Sequence, residues 1–272
     1  MKDQMKISEY IHPIEQFGEA GSVHTVFPYS FNLQIGEQLI NVSSYFEYLA
    51  SYGLYLPKVT FETVAPYVRR GNFVKVNDQE FVFYSQNGIY HLPLIGVETR
   101  SLDVRQLSLR SDELVLLQKV LENQNLEEKL GLSLDRRTQE IFAMMRKAKP
   151  NWTEIVAYLV GRGGAGTPSG DDILVAYLSL LYAVHQPQAT ALSQALLSGK
   201  LATPDVSKAY LLAATDGVVN SLVHQLFLNL RKLDERLTEQ NVQQLMAIGH
   251  SSGKDLSYGL LLGTQLLNGL NE

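Results

Sequence analysis

The stretch that decides the fold runs from Gly161 to Leu178 and reads GRGGAGTPSGDDILVAYL. Four glycines and a Thr-Pro-Ser-Gly turn come before two adjacent aspartates, and an apolar segment follows directly. Glycine lets the backbone approach a ligand closely, and the free N–H groups at the start of a helix attract anions. The stretch therefore predicts a glycine turn that opens a buried helix and presents its first turn to a ligand.

The spacing of these glycines does not match the common nucleotide-binding motifs. No Lys follows them as in GxxxxGK[ST], and Gly161, Gly163, Gly164 and Gly166 do not give GxGxxG. No strand is predicted before them either. We therefore exclude Walker and Rossmann sites.

The paired aspartates conflict with a bare phosphate site, because Asp171 and Asp172 would repel a phosphate at the same helix end. Three arrangements resolve this conflict. One Asp caps the helix while the other faces away; a Mg²⁺ ion, which prefers oxygen ligands, bridges Asp and phosphate; or an Asp accepts hydrogen bonds from an amide or guanidinium group of the substrate. Arg162, within the loop, either supplies positive charge or is a surface residue.

The turn has a weak internal repeat. Ser169-Gly170-Asp171-Asp172 opens one apolar helix, and Ser252-Gly253-Lys254-Asp255 opens another. In each, Ser can cap the helix and Asp falls at the third helical position, facing back toward the cap. The repeat indicates either two ordinary helix caps or two halves of one site, with both helix N-termini aimed at one pocket.

The chain changes character near residue 110, which predicts an α+β fold. Before it, short β-branched and aromatic runs are separated by turn residues such as Asn87-Gly88, which favours an N-terminal antiparallel β-rich sheet or small barrel. After it, apolar residues recur with helical spacing. We expect a β-rich domain over residues 1–110, packed on an α-helical domain over residues 111–272 that carries the glycine loop.

Two further helices are predicted locally. A short one is expected across Tyr45 to Tyr52. A longer one is expected from Pro204 to about Leu230, with Asp216, Asn220 and His224 four residues apart on one face. These three side chains form a solvent-facing stripe or contacts between helices. Asp216 and His224 would lie about 12 Å apart along the axis, too far for one metal ion.

Composition excludes several classes of protein. The 272 residues carry a net charge of −5, with no cluster of Lys and Arg of the kind that nucleic acids require. The absence of Cys excludes disulfides, thiolate nucleophiles and Cys metal sites. The longest apolar run, Ile173 to Val184, is too short to span a bilayer, and no signal peptide is evident. We expect a soluble, cytoplasmic protein that binds neither nucleic acid nor membrane.

Three separated motifs resemble a bacterial family of otherwise unknown function that includes AllH, a subunit of the oxamate carbamoyltransferase complex of allantoin catabolism. The signature Thr-Pro-Ser-Gly-Asp-Asp at 167–172 carries the resemblance, although Gly166 stands where the family commonly has Leu. The run GSVHTVF at 21–27, followed by Asn32-Leu33, is similar to the family's N-terminal strand pattern. The run HSSGKD at 250–255 is similar to its C-terminal element.

The resemblance implies a carbamoyltransferase subunit that acts in purine catabolism on a small anionic substrate: phosphate, carbamoyl phosphate or an oxamate-like molecule. Asp171 or Asp172 would hold the carbamoyl NH₂ or a metal, and His24 would be the acid–base group. The alternative for His24 is a half-buried histidine hydrogen-bonded across the sheet. The implied substrate-binding residues are Gly163, Gly164, Gly166, Thr167, Ser169, Gly170, Ser251, Ser252, Gly253 and Asp255.

No residue is an obvious nucleophile, so direct transfer is expected. No set of metal ligands is assigned, and Mg²⁺ is the one cofactor that the aspartates suggest. The alternative function is a non-catalytic subunit that depends on hetero-oligomeric partners, or a small-anion-binding regulatory protein. A partner-dependent subunit predicts an exposed apolar patch on the helical part, whereas a self-sufficient enzyme predicts a closed pocket. A metal-dependent hydrolase or small-molecule sensor is a weaker third option.

Overall fold

The computed structural model describes residues 4–45, 48–77, 79–164 and 166–270. The chain divides into two compact units, Met1–Leu102 and Asp103–Glu272. Strands dominate the first unit and helices the second, so the predicted α+β class is confirmed.

Among its described residues, the first unit is built on a nine-stranded sheet with the order β8-β7-β6-β2-β3-β4-β5-β1-β9. Its strands are β1 (Lys6–Ser8), β2 (Ala20–Phe27), β3 (Ser30–Ile35), β4 (Gln38–Ser43), β5 (Gly53–Tyr55), β6 (Phe73–Val76), β7 (Glu80–Ser85), β8 (Gly88–Pro93) and β9 (Glu98–Arg100). Helix α1 (Lys58–Val64) follows β5. Most neighbours are antiparallel, as predicted, but β4 pairs with β5 and β1 with β9 in parallel, so the sheet is mixed.

The helix expected across Tyr45 to Tyr52 is wrong for residues 48–52, whereas Phe46 and Glu47 lie outside the described residues. The chain there turns into β5 and buries Tyr52 completely. The Ser8 hydroxyl donates to the Ser51 carbonyl at 2.6 Å, and a backbone carbonyl so engaged is not available to a helix. Contacts with β1 therefore override the local helical pattern.

The second unit packs helices around one apolar core. Its helices are α2 (Ser111–Glu122), α3 (Arg136–Met145), α4 (Trp152–Leu159), α5 (Ser169–Ala183), α6 (Gln188–Ser198), α7 (Asp205–Thr215), α8 (Ser221–Leu230), α9 (Glu235–Met246) and α10 (Ser252–Gly269). Asn151 caps the start of α4, its side-chain oxygen accepting from the Glu154 N–H at 3.4 Å. In the part of the chain that is described, no helix is long and apolar enough to cross a membrane.

The single helix predicted from Pro204 to Leu230 is wrong, because the chain breaks between α7 and α8. Gly217 takes a φ of +73°, which ends helical geometry. Asn220 then caps α8, its side-chain oxygen accepting from the Leu222 and Val223 N–H groups at 3.0 and 3.1 Å. The three polar residues of the expected stripe therefore do not share one helix face.

Helices α5 and α10 form the centre of this unit and run in the same direction. Near the start of both helices, Ser252 lies 2.6 Å from Thr167, the residue two before α5 (Oγ to Oγ1). Farther along, a Cβ placed on Gly259 would lie 2.4 Å from the Ile173 carbonyl oxygen, and one on Gly263 would lie 2.8 Å from Leu180. Later residues of α10 thus contact later residues of α5. The two helices are therefore parallel, and their N-termini lie side by side.

We expect Gly259→Ala to lower the free energy of unfolding by about 1–3 kcal/mol or more, because the added methyl group would push α10 off the backbone of α5. Gly269→Ala is the matched control, since nothing lies within 4 Å of its Cβ position. The control should stay within about 0.5 kcal/mol of the parent chain or gain stability. Urea unfolding followed by circular dichroism measures both, and equal midpoints for the two variants would contradict the parallel contact.

Candidate functional site

The two Ser-Gly-x-Asp turns meet at the paired starts of α5 and α10. Each turn has a glycine at the second helical position that packs against the helix before it. A Cβ on Gly170 would lie 2.0 Å from the Leu159 carbonyl oxygen, and one on Gly253 would lie 1.9 Å from the Leu245 carbonyl oxygen. Only glycine fits at either place, so both glycines are explained by backbone packing.

The serines at these starts are not helix caps. Ser169 and Ser252 are the first residues of their helices, and the cap positions belong to Pro168 and Ser251, neither of which makes a side-chain capping bond. Ordinary capping therefore does not explain the repeat. The N–H groups of the second helical positions are already bound, donating to the carbonyls of Arg162 (2.9 Å) and Ile248 (3.1 Å).

Asp171 faces away from α10 and anchors the glycine loop. Its carboxylate accepts from the Gly161 N–H at 2.8 Å and from the Ser207 hydroxyl at 2.6 Å, and it also binds the Thr203 hydroxyl. The side chain is 1% exposed. These bonds join the loop to α7, so Asp171 holds the loop in place.

Asp172 faces the partner turn instead. It lies beside the hydroxyls of Ser252 and Thr167 and senses the negative charge of Asp255. Burial raises the pKa of the Asp172 carboxyl well above its ordinary value, and the charges of Asp255 and Asp171 raise it further, while the two hydroxyls oppose the shift. This carboxyl group is therefore far harder to ionise than an exposed aspartate.

Three buried polar atoms at this junction make no hydrogen bond of good geometry among the described residues: Ser169 Oγ, Asp172 Oδ2 and Asp255 Oδ2. The Ser169 hydroxyl does lie near the Asp255 carboxyl group, but the angles of that contact do not fit a hydrogen bond. Leaving such an atom unpaired costs about 1–3 kcal/mol, so native proteins rarely tolerate it without a reason. The residues are 1%, 6% and 0% exposed. The cluster of unpaired atoms is the strongest indication of a ligand in this unit.

Gly131, in the segment between α2 and α3, also borders the site, in addition to the starts of α5 and α10. Its N–H donates to Asp255 Oδ1 at 2.9 Å. A Cβ on Gly131 would lie 2.2 Å from Ser169 Oγ, 2.9 Å from Ser251 Oγ and 3.1 Å from Asp255 Oδ2. Three side-chain oxygens thus converge on one spot, and any other residue at 131 would fill it. No motif in the sequence marks Gly131, so sequence reasoning missed it.

Burial also raises the pKa of the Asp255 carboxyl. The Gly131 N–H, the nearby hydroxyls of Ser169 and Ser251, and the positive charge of Lys254 partly counteract this rise. Lys254 itself points to the surface, where its ammonium group donates to the His250 carbonyl at 2.5 Å. The Asp255 carboxyl is consequently surrounded by dipoles and has no direct ion pair among the described residues.

The glycine loop passes over the start of α5. Gly163 has a φ of +124°, and a Cβ there would lie 2.6 Å from the Ser169 nitrogen. Gly164 and Gly166 are exposed with nothing within 4 Å of their Cβ positions. Gly163 therefore borders the site directly, whereas Gly164 and Gly166 lie on the outer side of the loop.

Arg162 takes the surface arrangement of the two left open by the sequence. Its guanidinium carbon lies 3.8 Å from the centre of the Tyr158 ring, and its Nε donates to the Tyr158 carbonyl at 2.9 Å. The Arg162 side chain is exposed to solvent and lies along the surface of α4. Its contacts with Tyr158 hold it there, so it does not project from the loop.

His24 and Asn32 belong to the sheet unit. His24 lies on β2, where the pairing with β3 shifts register between Val23 and Thr25. Asn32 is buried, donating to the Thr25 hydroxyl at 2.7 Å and accepting from the Asn41 side chain at 3.0 Å. The acid–base role of His24 stays a prediction.

Within the described ranges, no group of three or more His, Asp or Glu side chains is arranged to hold a metal ion. The oxygen atoms at the paired helix starts come from two carboxyl groups and four hydroxyl groups, of Thr167, Ser169, Ser251 and Ser252. Carboxyl and hydroxyl groups at one spot suit a ligand that both donates and accepts hydrogen bonds.

We expect Asp171→Ala to lower the free energy of unfolding by about 2–5 kcal/mol, because a buried N–H and two hydroxyls lose their shared acceptor. Asp112→Ala is the control. Asp112 also lies in the first turn of a helix but is half exposed. It pairs with Arg110 at the surface and accepts from the neighbouring Glu113 N–H at 3.0 Å, so its loss should cost less than about 1 kcal/mol. Chemical denaturation compares the two. Similar losses would show that Asp171 is not an anchor.

Residues 159–264 match the model of a family described as oxamate carbamoyltransferase subunit AllH. The matched range contains both Ser-Gly-x-Asp turns, the whole of α5, and α10 as far as Thr264. The resemblance seen in the sequence is thereby confirmed over this range. No curated protein and no solved structure matches the chain.

Proposed function

We propose, from the family match across the paired helix starts, that this chain is a subunit of an oxamate carbamoyltransferase-like complex and binds the substrate of that complex at this junction. The observation that carries the proposal is the set of buried, unpaired atoms on Ser169, Asp172 and Asp255. All three lie within the matched residues. A small ligand with both N–H donors and oxygen acceptors would satisfy them.

The reaction is carbamoyl transfer between oxalurate-type or oxamate-type substrates and phosphate. In the direction that yields carbamoyl phosphate, a phosphate oxygen forms a bond to the carbamoyl carbon, and the bond from that carbon to the oxamate nitrogen breaks. Negative charge develops on oxygen atoms during this exchange. Catalysis then depends on positioning the two reactants and on hydrogen-bond donors that stabilise the developing charge.

The geometry suggests a division of roles between the two aspartates. Asp171 is engaged with the loop and α7, whereas Asp172 lies at the junction and keeps an unpaired oxygen. Asp172 is therefore the better candidate to meet the carbamoyl group. Ser169, Thr167 and the loop N–H groups would bind substrate oxygens.

We expect Ser169→Ala to lower kcat/KM for phosphate-dependent transfer by about 100-fold or more, as loss of one transition-state donor commonly does. The assay uses the purified chain, alone and with the products of neighbouring genes, and follows oxamate formation from oxalurate. Ser198→Ala is the control, because Ser198 lies at the exposed end of α6. Unchanged activity in Ser169→Ala would refute this site for the reaction.

A second candidate is a partner-dependent or regulatory subunit that does not itself catalyse. An exposed apolar stripe favours it, although the stripe lies on the sheet unit and not on the helical part as predicted. Phe73 and Tyr84 are 51% and 40% exposed with ring centres 5.6 Å apart, and Ile89, 58% exposed, pairs with Tyr84 across β7 and β8. Full activity of the isolated chain would contradict this candidate.

A further inference from the structure

Two buried carboxyl groups face the same junction from different helices. Asp172 comes from the first turn of α5 and Asp255 from the first turn of α10. The two turns adjoin, because the hydroxyls of Thr167 and Ser252 lie 2.6 Å apart, and each carboxyl group has a buried oxygen at this junction. Two like charges buried together are costly, so such pairs commonly keep a proton.

No cation among the described residues forms an ion pair with either group. Around Asp172 lie the hydroxyls of Ser252 and Thr167 and a second negative group, Asp171. The groups facing Asp255 are the Gly131 N–H, the Ser169 and Ser251 hydroxyls and the more distant Lys254. The surroundings thus supply dipoles and an additional negative charge, and both carboxyl groups retain one unpaired, fully enclosed oxygen.

We propose that Asp172 and Asp255 hold a proton at the junction of α5 and α10, and that this proton lets the site bind a small oxyanion. A protonated carboxyl group is a hydrogen-bond donor, whereas an ionised one only accepts and would repel an anion. The positive ends of two parallel helices also favour an anion at this place. The protonated state removes the conflict between paired aspartates and an anionic ligand.

The same proton has a role in the transfer reaction, and this part rests on the proposed function. Attack by HPO₄²⁻ forms the new carbon–oxygen bond while the carbon–nitrogen bond breaks, and its electron pair goes to the oxamate nitrogen. The carboxyl group gives its proton to that nitrogen. The proton that the phosphate group carried on another oxygen is released once the new bond forms and restores the carboxyl group, so the exchange balances without any further reactant.

Asp172→Asn separates the donor role from the proton role, because Asn keeps the shape and an N–H donor but neither ionises nor transfers a proton. The probe is oxamate, whose carboxylate stays ionised across the neutral and alkaline range. In the parent chain, binding should be strongest below the pKa of the pair and weaken as pH rises through it. Asp172→Asn should bind within about tenfold of the parent at low pH and lose this pH dependence.

Calorimetry in two buffers of different ionisation enthalpy tests the proton directly. Above the pKa of the pair, the parent chain should take up protons when oxamate binds, and Asp172→Asn should take up fewer. Asp112→Asn, a surface change, should behave as the parent does. Proton release on binding, or binding of guanidinium in place of oxamate, would overturn the inference. Failure of the parent chain to bind oxamate at any pH would overturn its anion-binding part.

A ligand-free measurement keeps the inference testable on its own. The folded chain binds the proton more tightly than the unfolded chain does. The proton therefore stabilises the fold at low pH, and this stabilisation is lost as pH rises through the pKa of the carboxyl pair in the folded chain. Asp172→Asn should therefore gain stability relative to the parent as pH rises. Parallel stability curves for the two proteins would show that Asp172 holds no proton.

The two proposals fail differently. If carbamoyl transfer is absent in every combination of subunits while the pH results stand, the reaction is wrong and the proton-bearing site remains. If transfer occurs and Asp172→Asn retains it with an unchanged pH profile, the reaction stands and the proton inference is wrong.

Discussion

The close, parallel packing of α5 against α10 is the contact on which the rest of the helical unit depends. Gly259 lets α10 approach the backbone of α5, and the same contact pattern continues to the two N-termini. Because the helices run in one direction, their dipoles add at that end instead of cancelling as in an antiparallel pair. The two Ser-Gly-x-Asp turns meet because the helices that they begin are packed together along their length.

This packing also explains why adjacent aspartates have different surroundings. Successive residues of an α-helix point about 100° apart, so Asp171 and Asp172 cannot face the same neighbour. Asp171 reaches the loop and α7, where hydrogen bonds satisfy it, and Asp172 reaches α10, where it meets another buried carboxyl group. Asp171, which holds the loop in place, and Asp172, which is the candidate functional group, are thus adjacent residues of one helix.

Much of the fold could be predicted from local patterns, and the exceptions have physical causes. The change from strands to helices and the capped start of α4 at Asn151 follow from periodicity and side-chain capping, which are local properties. The helix expected through Asp216 fails because Gly217 and the Asn220 cap break it, and a polar spacing of four does not reveal that break. The expected caps at Ser169 and Ser252 fail because the preceding residues occupy the cap positions.

The sequence by itself determined where the chain turns into helices, which turns repeat, and which family the residues around 167–172 resemble, because these depend on neighbouring residues and backbone freedom. Only the tertiary structure decided that the glycines of the repeat are required by packing, that Gly131 completes the junction, and which aspartate is left with an unpaired oxygen. Those properties arise between segments distant in the chain, where burial and the partners available set the state of each polar group.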